Sequence, residues 1–309
     1  MIRGISAFAA QTNRPSRPVL FALPDGGLPT VSLRRALALA RTLEAELHVL
    51  RVVFGRWPRS PASPQVDLLT ITRADEYVIQ SERNLREWLT EVSPTGWLPD
   101  EVCTRSGDFV SHAAARAVEI DASLIVVPPG GRHAGEVAVK LACAAQLPVL
   151  VARDATFEES IVAATDLKDP TYPVLRTAAS LSRRLDAPVI ALHNLSPMVL
   201  IASRGLGCAV APDAGRSHAR AREHLERAVR RLSSQTTIVV AEEVDPADAI
   251  LHEAQARNAD LITVGTRRRS WLERLLVSSL AARVVNGTER SVLVVPIDAR
   301  GRSLAKLLA

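Results

Sequence analysis

The sequence predicts an α/β chain of two tandem doubly wound domains, each a parallel sheet covered by helices on both faces. Three observations carry this. Short apolar runs alternate with segments of helical periodicity along the chain, the pattern of βαβ units. The order of these elements then repeats. Finally, IDASLIVVP (Ile120–Pro128) aligns with RNADLITVG (Arg257–Gly265), and PVLV (Pro148–Val151) with SVLV (Ser291–Val294). This is a duplication of domains, not a solenoid of repeats of about 20–50 residues. The 309 residues therefore divide into 1–154 and 155–309, each near the usual size of one domain.

In the first half, Val19–Leu23 reads as a strand ending in the turn Pro24-Asp25-Gly26-Gly27. Val31–Leu47 has helical periodicity through Leu33, Leu37, Ala40 and Leu43, and Val49–Phe54 is a strand. The prolines in Arg56–Pro64 mark a loop. Leu68–Val92 is a long helix stopped by Pro94 and Gly96, and Glu101–Arg105 is a strand. Asp108 is placed to N-cap the helix Val110–Glu119. Leu124–Val127, the turn Pro128–Gly131, a short helix Gly135–Ala145 and the strand Val149–Val151 complete the unit.

The second half repeats it. Ile161–Thr165 is a strand ending at Asp166, followed by the helix Tyr172–Leu185. The strand Val189–Leu192 leads to His193 and Asn194, and Ser196–Gly215 is a loop. Arg216–Leu232 is a charged amphipathic helix, Thr237–Ala241 a strand, and Asp245-Pro246 opens the helix Ala247–Arg257. Asp25 corresponds to Asp166 and Asp108 to Asp245.

The last stretch, Ala259–Pro296, carries the chemistry. Leu261–Val264 is a buried strand that Gly265 is expected to end, because glycine turns sharply or admits a ligand close to the main chain. A helix should follow with Leu272, Leu275, Leu276, Leu280 and Val284 on one face, interrupted by Ser278 and Ser279 and ended by Gly287 before the strand Val292–Val295. Backbone N–H groups near a helix N-terminus, beside Arg267, Arg268 and Arg269, suit an anion such as phosphate. A solvated basic turn would show the same local pattern.

Composition narrows the classes. Net charge is +5 and the pI about 9.6, which permits contact with nucleotides, nucleic acid or anionic lipid but demands none. No apolar run approaches the ~18 residues of a membrane span. Cys103, Cys143 and Cys208 form neither a metal spacing nor a disulfide framework, so a reducing cytoplasm is expected. The N-terminal MIRGISAFAAQT is too short for a signal-peptide core and reads as a frayed tail. There is no Walker loop, Gly205-x-Gly207 lacks a third glycine, and the seven histidines form no metal pattern.

The stretch from Gly265 to Ser279 resembles the carboxy-terminal signature of the universal stress protein family: Gly, two residues, Gly, nine residues, Gly, then Ser or Thr. Gly265 matches the first glycine and Ser279 the closing hydroxyl, while Arg268 and Ser278 replace the other two glycines. The resemblance spans residues 17–298 and implies a tandem pair of five-stranded domains of the adenine nucleotide alpha-hydrolase-like fold. It also implies an ATP site in the second half. Thr165 and Asp166 would meet the nucleoside, the backbone near Asn194 the adenine, and Gly265, Thr266, Arg267, Arg268, Ser278 and Ser279 the phosphates. Arg268 would either clamp phosphate or fill its space.

In the first half Asp25 is kept, Pro128 replaces the motif glycine and removes a donor, and Gly131 stands for the second glycine. The segment is six residues shorter than its partner, so that Leu141 and Ala142 are expected at the small and hydroxyl positions. That half is read as structural. The resulting expectation is a stress-response protein that binds ATP or a related adenine nucleotide once per chain and acts through an unidentified protein partner. The alternative is the same fold without nucleotide, as an interaction protein. An enzyme is not expected, though weak ATPase activity is left open. The closing strands should pack the halves as an internal pseudo-dimer, and a homodimer of chains is left open.

Overall fold

The structure is a computed structural model that describes residues 16–53, 68–92, 98–131, 133–153, 160–195, 214–230, 232, 236–267 and 279–297. The N-terminal tail, the loop 56–64, Pro94, Gly96, most of the loop 196–215, Cys208, the leucines 272, 275 and 276, and the site positions Arg268 and Ser278 lie outside the described residues.

The strands are β1 (Ser16–Leu23), β2 (Ala45–Val53), β3 (Glu101–Ser106), β4 (Leu124–Val127), β5 (Val149–Val151), β6 (Ile161–Ala164), β7 (Val189–Asn194), β8 (Thr236–Ala241), β9 (Leu261–Arg267) and β10 (Ser291–Ile297). The described helices are α1 (Thr30–Thr42), α2 (Leu68–Val92), α3 (Phe109–Glu119), α4 (Ala134–Ala145), α5 (Pro173–Leu185), α6 (Ala214–Val229), α7 (Pro246–Ala256) and α8 (Leu280–Asn286). One ten-stranded sheet runs β3-β2-β1-β4-β5-β10-β9-β6-β7-β8. Every pairing is parallel except β5 with β10, where Leu150 sits opposite Leu293.

The central strands β4, β5 and β10 are buried on both faces, which is why they read as apolar runs. In β1, Val19, Phe21 and Leu23 point into a core shared with α1, α2, α5 and α6, and Leu20 and Ala22 into one shared with α3, α4, α7 and α8. The duplication reaches the backbone dihedrals. Asp121 and Asn258, which leave α3 and α7, both take positive φ, 51° and 48°, a conformation that Asp and Asn tolerate best after glycine.

The halves meet through more than the β5–β10 ladder. Gly135, at the start of α4, lies on the backbone of Ala282 in α8, with no space for a side chain between them. The Gly135 N–H donates to Asn286 Oδ1 at 2.9 Å, and Asn286 Nδ2 donates to Glu136 Oε2 at 3.3 Å. Arg153, beyond β5, donates from Nη2 to the Val285 carbonyl at 2.9 Å, satisfying one C-terminal carbonyl of α8, and from Nη1 to Arg290 O, before β10, at 3.1 Å. Burial pulls its guanidinium pKa below the ordinary arginine value.

Several sequence expectations are corrected or sharpened. The first helix ends at Thr42 and β2 begins at Ala45. Leu43 and Leu47 are both buried, and their spacing fits a helix face and an inward strand face alike. Gly265 does not end its strand, because β9 runs on to Arg267. A Cβ there would meet the end of the Ile297 side chain and come within 3.1 Å of Val174 Cγ2, so within the strand glycine leaves room for those side chains. The helix that carries Leu280 and Val284 begins at Leu280, with Ser279 outside it as its N-cap, accepting from Ala282 N at 3.1 Å. Finally, counting back from the facing Leu150 and Leu293 sets Gly135 opposite Ser278 and Glu136 opposite Ser279. The six missing residues therefore fall before α4, and Leu141 and Ala142 are core residues of that helix.

Candidate functional site at the carboxyl ends of β6, β7 and β9

Parallel α/β sheets gather ligands outside the carboxyl ends of their strands. In the second half Ala163 of β6 pairs with Thr263 of β9. Three residues further along, the two segments reach Asp166 and Thr266, with Arg267 next.

Asp166 and Arg267, 101 residues apart in sequence, meet there. Arg267 Nη2 lies 3.3 Å from Asp166 Oδ2, and each side chain is 46% exposed. Asp166 Oδ1 accepts from Lys168 N at 3.0 Å, while Leu167 takes a positive φ of 57°. The carboxylate is thus fixed by its own turn with its second oxygen on the guanidinium. An exposed ion pair of this kind is worth about 0–1 kcal/mol, so a ligand that offers each partner a better contact opens it at little cost.

The other predicted residues are more constrained. Thr165 Oγ1 accepts from Leu167 N at 3.2 Å. The Thr165 carbonyl lies 2.8 Å from His193 Nδ1, which places a proton on that nitrogen. Asn194 is pinned to the loop after β8, with Nδ2 donating to Glu243 O at 3.0 Å and Oδ1 accepting from Glu243 N at 2.9 Å. Thr266 is buried, and the Ser279 hydroxyl is engaged as the α8 cap. Thr165, Asp166 and Arg267 are brought together. Asn194 lies one strand away on β7. Glu243 was missed by sequence reasoning, because a main-chain partner 49 residues away leaves no local signal.

Beside this edge, Asp245 caps α7 by accepting from Ala247 N at 2.8 Å and pairs with Arg283 of α8. The Arg283 guanidinium, with the Ala247 N–H, holds its carboxyl below the usual carboxylate range. Among the described residues no His, Cys, Asp and Glu group could hold a metal ion, and no helix is long and apolar enough to cross a membrane.

Comparison with known proteins agrees with this architecture. Residues 159–296 match the family model described as the universal stress protein family. A curated universal stress protein of Methanocaldococcus jannaschii is 29% identical over 145 residues, covering 44% of this chain and 81% of that one. The crystal structure of a universal stress protein from Archaeoglobus fulgidus superposes with a TM-score of 0.64 at 13% identity, over 92% of this chain and 98% of that one. A functionally unknown protein from Pseudomonas aeruginosa superposes with a TM-score of 0.56 at 20% identity, over 95% and 97%. Residues 159–296 are thus similar to the universal stress protein family, and the fold that the chain shares with these structures extends through both halves.

Proposed function

We propose that the second half binds ATP or a related adenine nucleotide and that the chain acts in a stress response through nucleotide-dependent contact with a protein partner. The observation that carries this reading is the half-exposed Asp166–Arg267 pair at the β6/β9 edge. A carboxylate there suits ribose hydroxyls, and the planar guanidinium fork suits phosphate oxygens. Arg268, next in sequence, would add a second cation. The backbone near Asn194, held by Glu243, offers a rigid rim for the adenine.

Titration calorimetry with ATP tests this. Wild type should bind one equivalent per chain. Arg267→Gln should weaken binding by about 1.5–3 kcal/mol, the usual loss for a charged hydrogen bond. Absence of ATP binding by wild type and by Arg268→Gly, which rebuilds the family glycine, would falsify the reading.

A second reading has its own support. Gly265 is filled against Ile297 and Val174, and Ser279 is spent as a helix cap, so both have structural work without a nucleotide. On that reading the fold serves as an interaction module with no nucleotide, and it predicts a heat-silent titration.

A further inference from the structure

A cleft separate from the strand-end site opens between α5 and α6, with a volume of about 840 Å³. Ala179, Ser180 and Ala228 are buried residues along it, and Arg176, Arg183, Arg227 and Arg230 rise as its walls. None of the lining residues is acidic. Tyr172 closes one end, its hydroxyl 2.9 Å from His224 Nε2, which ties the start of α5 to α6.

Helix geometry explains why the four cations converge. Arg176 and Arg183 are seven residues apart, so they share one face about 10.5 Å apart along the axis, and Arg227 and Arg230 are neighbours at i,i+3. Part of this charge has local uses. Arg183 donates to Leu232 O at 3.4 Å, and Arg227 stands 4.0 Å from Glu223. Arg183 and Arg227 also lie in the last turns of their helices, where a cation complements the dipole. Arg230, directly after α6, shares that dipole account, whereas Arg176 has none. Among the described residues neither has an ion-pair partner. Arg176 sits near the positive end of α5, whose first turn holds no acidic residue. A concave, all-cation wall focuses the potential for anions.

The geometry points to a binding site for a small anion carrying several phosphate groups in a row. The cleft lies within the usual size of a small-molecule site. Guanidinium groups spread over about 10 Å match successive phosphates better than a single one. Thr171 and Ser180 line the same space.

Inorganic tripolyphosphate is the probe, titrated calorimetrically into the full chain at low ionic strength. Saturable binding is expected, weakened at least about tenfold in Arg183→Gln/Arg227→Gln and again by adding Arg176→Gln. The exposed control pair Arg34→Gln/Arg184→Gln removes the same charge elsewhere and should leave the affinity within about twofold. In Arg267→Gln the component of binding that the cleft arginines carry should persist, whatever the strand-end site loses, which separates this cleft from that site. The inference is overturned if no binding occurs, if the control pair weakens binding as much as the cleft variants, or if Arg267→Gln alone abolishes it. It is also overturned if a single-stranded oligonucleotide binds through the cleft arginines while tripolyphosphate does not.

Discussion

The two halves repeat one scaffold but use the same edge differently. Asp25 and Asp166 stand at matching positions after β1 and β6. Asp25 lies 4.0 Å from Arg51 on β2, and the Tyr77 hydroxyl donates to it at 3.4 Å. Asp166 instead pairs with Arg267 on β9, the strand on its other side. The substitutions are reciprocal. Leu192 occupies the place of Arg51, and Gly130 the place of Arg267. One carboxylate is therefore drawn toward the outer neighbour strand and the other toward the inner one, where the family signature lies. Duplication preserved the sheet because both core faces depend on apolar alternation alone. Edge charges are free of that constraint, and they are where the halves diverged.

The largest expected effect lies where the halves meet. A Cβ at Gly135 would stand 2.6 Å from Ala282 Cα and 2.8 Å from its carbonyl carbon, both backbone atoms that cannot swing aside. Gly135→Val should destabilise the chain by about 3 kcal/mol, at the upper end of overpacking costs. Gly130 has nothing within 4 Å of its missing Cβ, and Gly130→Ala should stay within about 0.5 kcal/mol. Urea unfolding of both variants measures the difference. Equal midpoints would mean that the close α4–α8 crossing contributes little to joining the halves.

The next effect separates the two aspartates. Asp166→Asn should weaken ATP binding by about 1–2 kcal/mol through loss of a charged acceptor, and Asp25→Asn should leave it unchanged. Arg268 then decides its own role. If it clamps phosphate, Arg268→Ala weakens binding by about 1.5–3 kcal/mol. If it fills the phosphate space, Arg268→Gly strengthens binding. Calorimetry on these variants checks each, and an equal loss for Asp25→Asn and Asp166→Asn would erase the asymmetry between the halves.

The parallel-sheet architecture was legible in the sequence because it rests on local patterns. The apolar runs of β4 and β9, the Asp108 and Asp245 caps and the alignment of β5 with β10 are all features of a few adjacent residues. The site was legible only as a set of candidates. Asp166 and Gly265 could be nominated by position, but the Asp166–Arg267 contact depends on strand order, which periodicity does not encode. Gly265 reads as the end of its strand, yet β9 runs on to Arg267: a glycine signals free dihedrals or close approach alike, and its place beside Ile297 is not encoded locally. The arginine cleft was invisible for the same reason. Arg176 and Arg227 belong to different helices, and each alone reads as a solvated face.

The smallest effect concerns the two N-caps. Asp108 accepts from Ser111 N and Oγ at 2.8 and 2.7 Å within its own helix, whereas Asp245 reaches across to Arg283. Lys140 occupies the place of Arg283 in the first half, a point charge where the second half has a planar fork. Arg283 lowers the Asp245 pKa in the folded chain. A carboxylate depressed on folding contributes stability that is present above its unfolded pKa of about 3.9 and is lost as pH falls through the folded value. Stability should therefore decline below about pH 4, and Asp245→Asn should flatten that part of the profile. Because Asn is itself a good N-cap, the cost at neutral pH should be only the partly exposed ion pair, about 0–1 kcal/mol. Arg283→Gln should flatten the acid limb to the same extent, and Arg283→Lys, which copies the first half, should fall between. Thermal unfolding of the two single variants and the double variant from pH 2.5 to 7 measures this coupling. Strict additivity of Asp245→Asn and Arg283→Gln at every pH would show that the α7 cap and α8 are energetically independent.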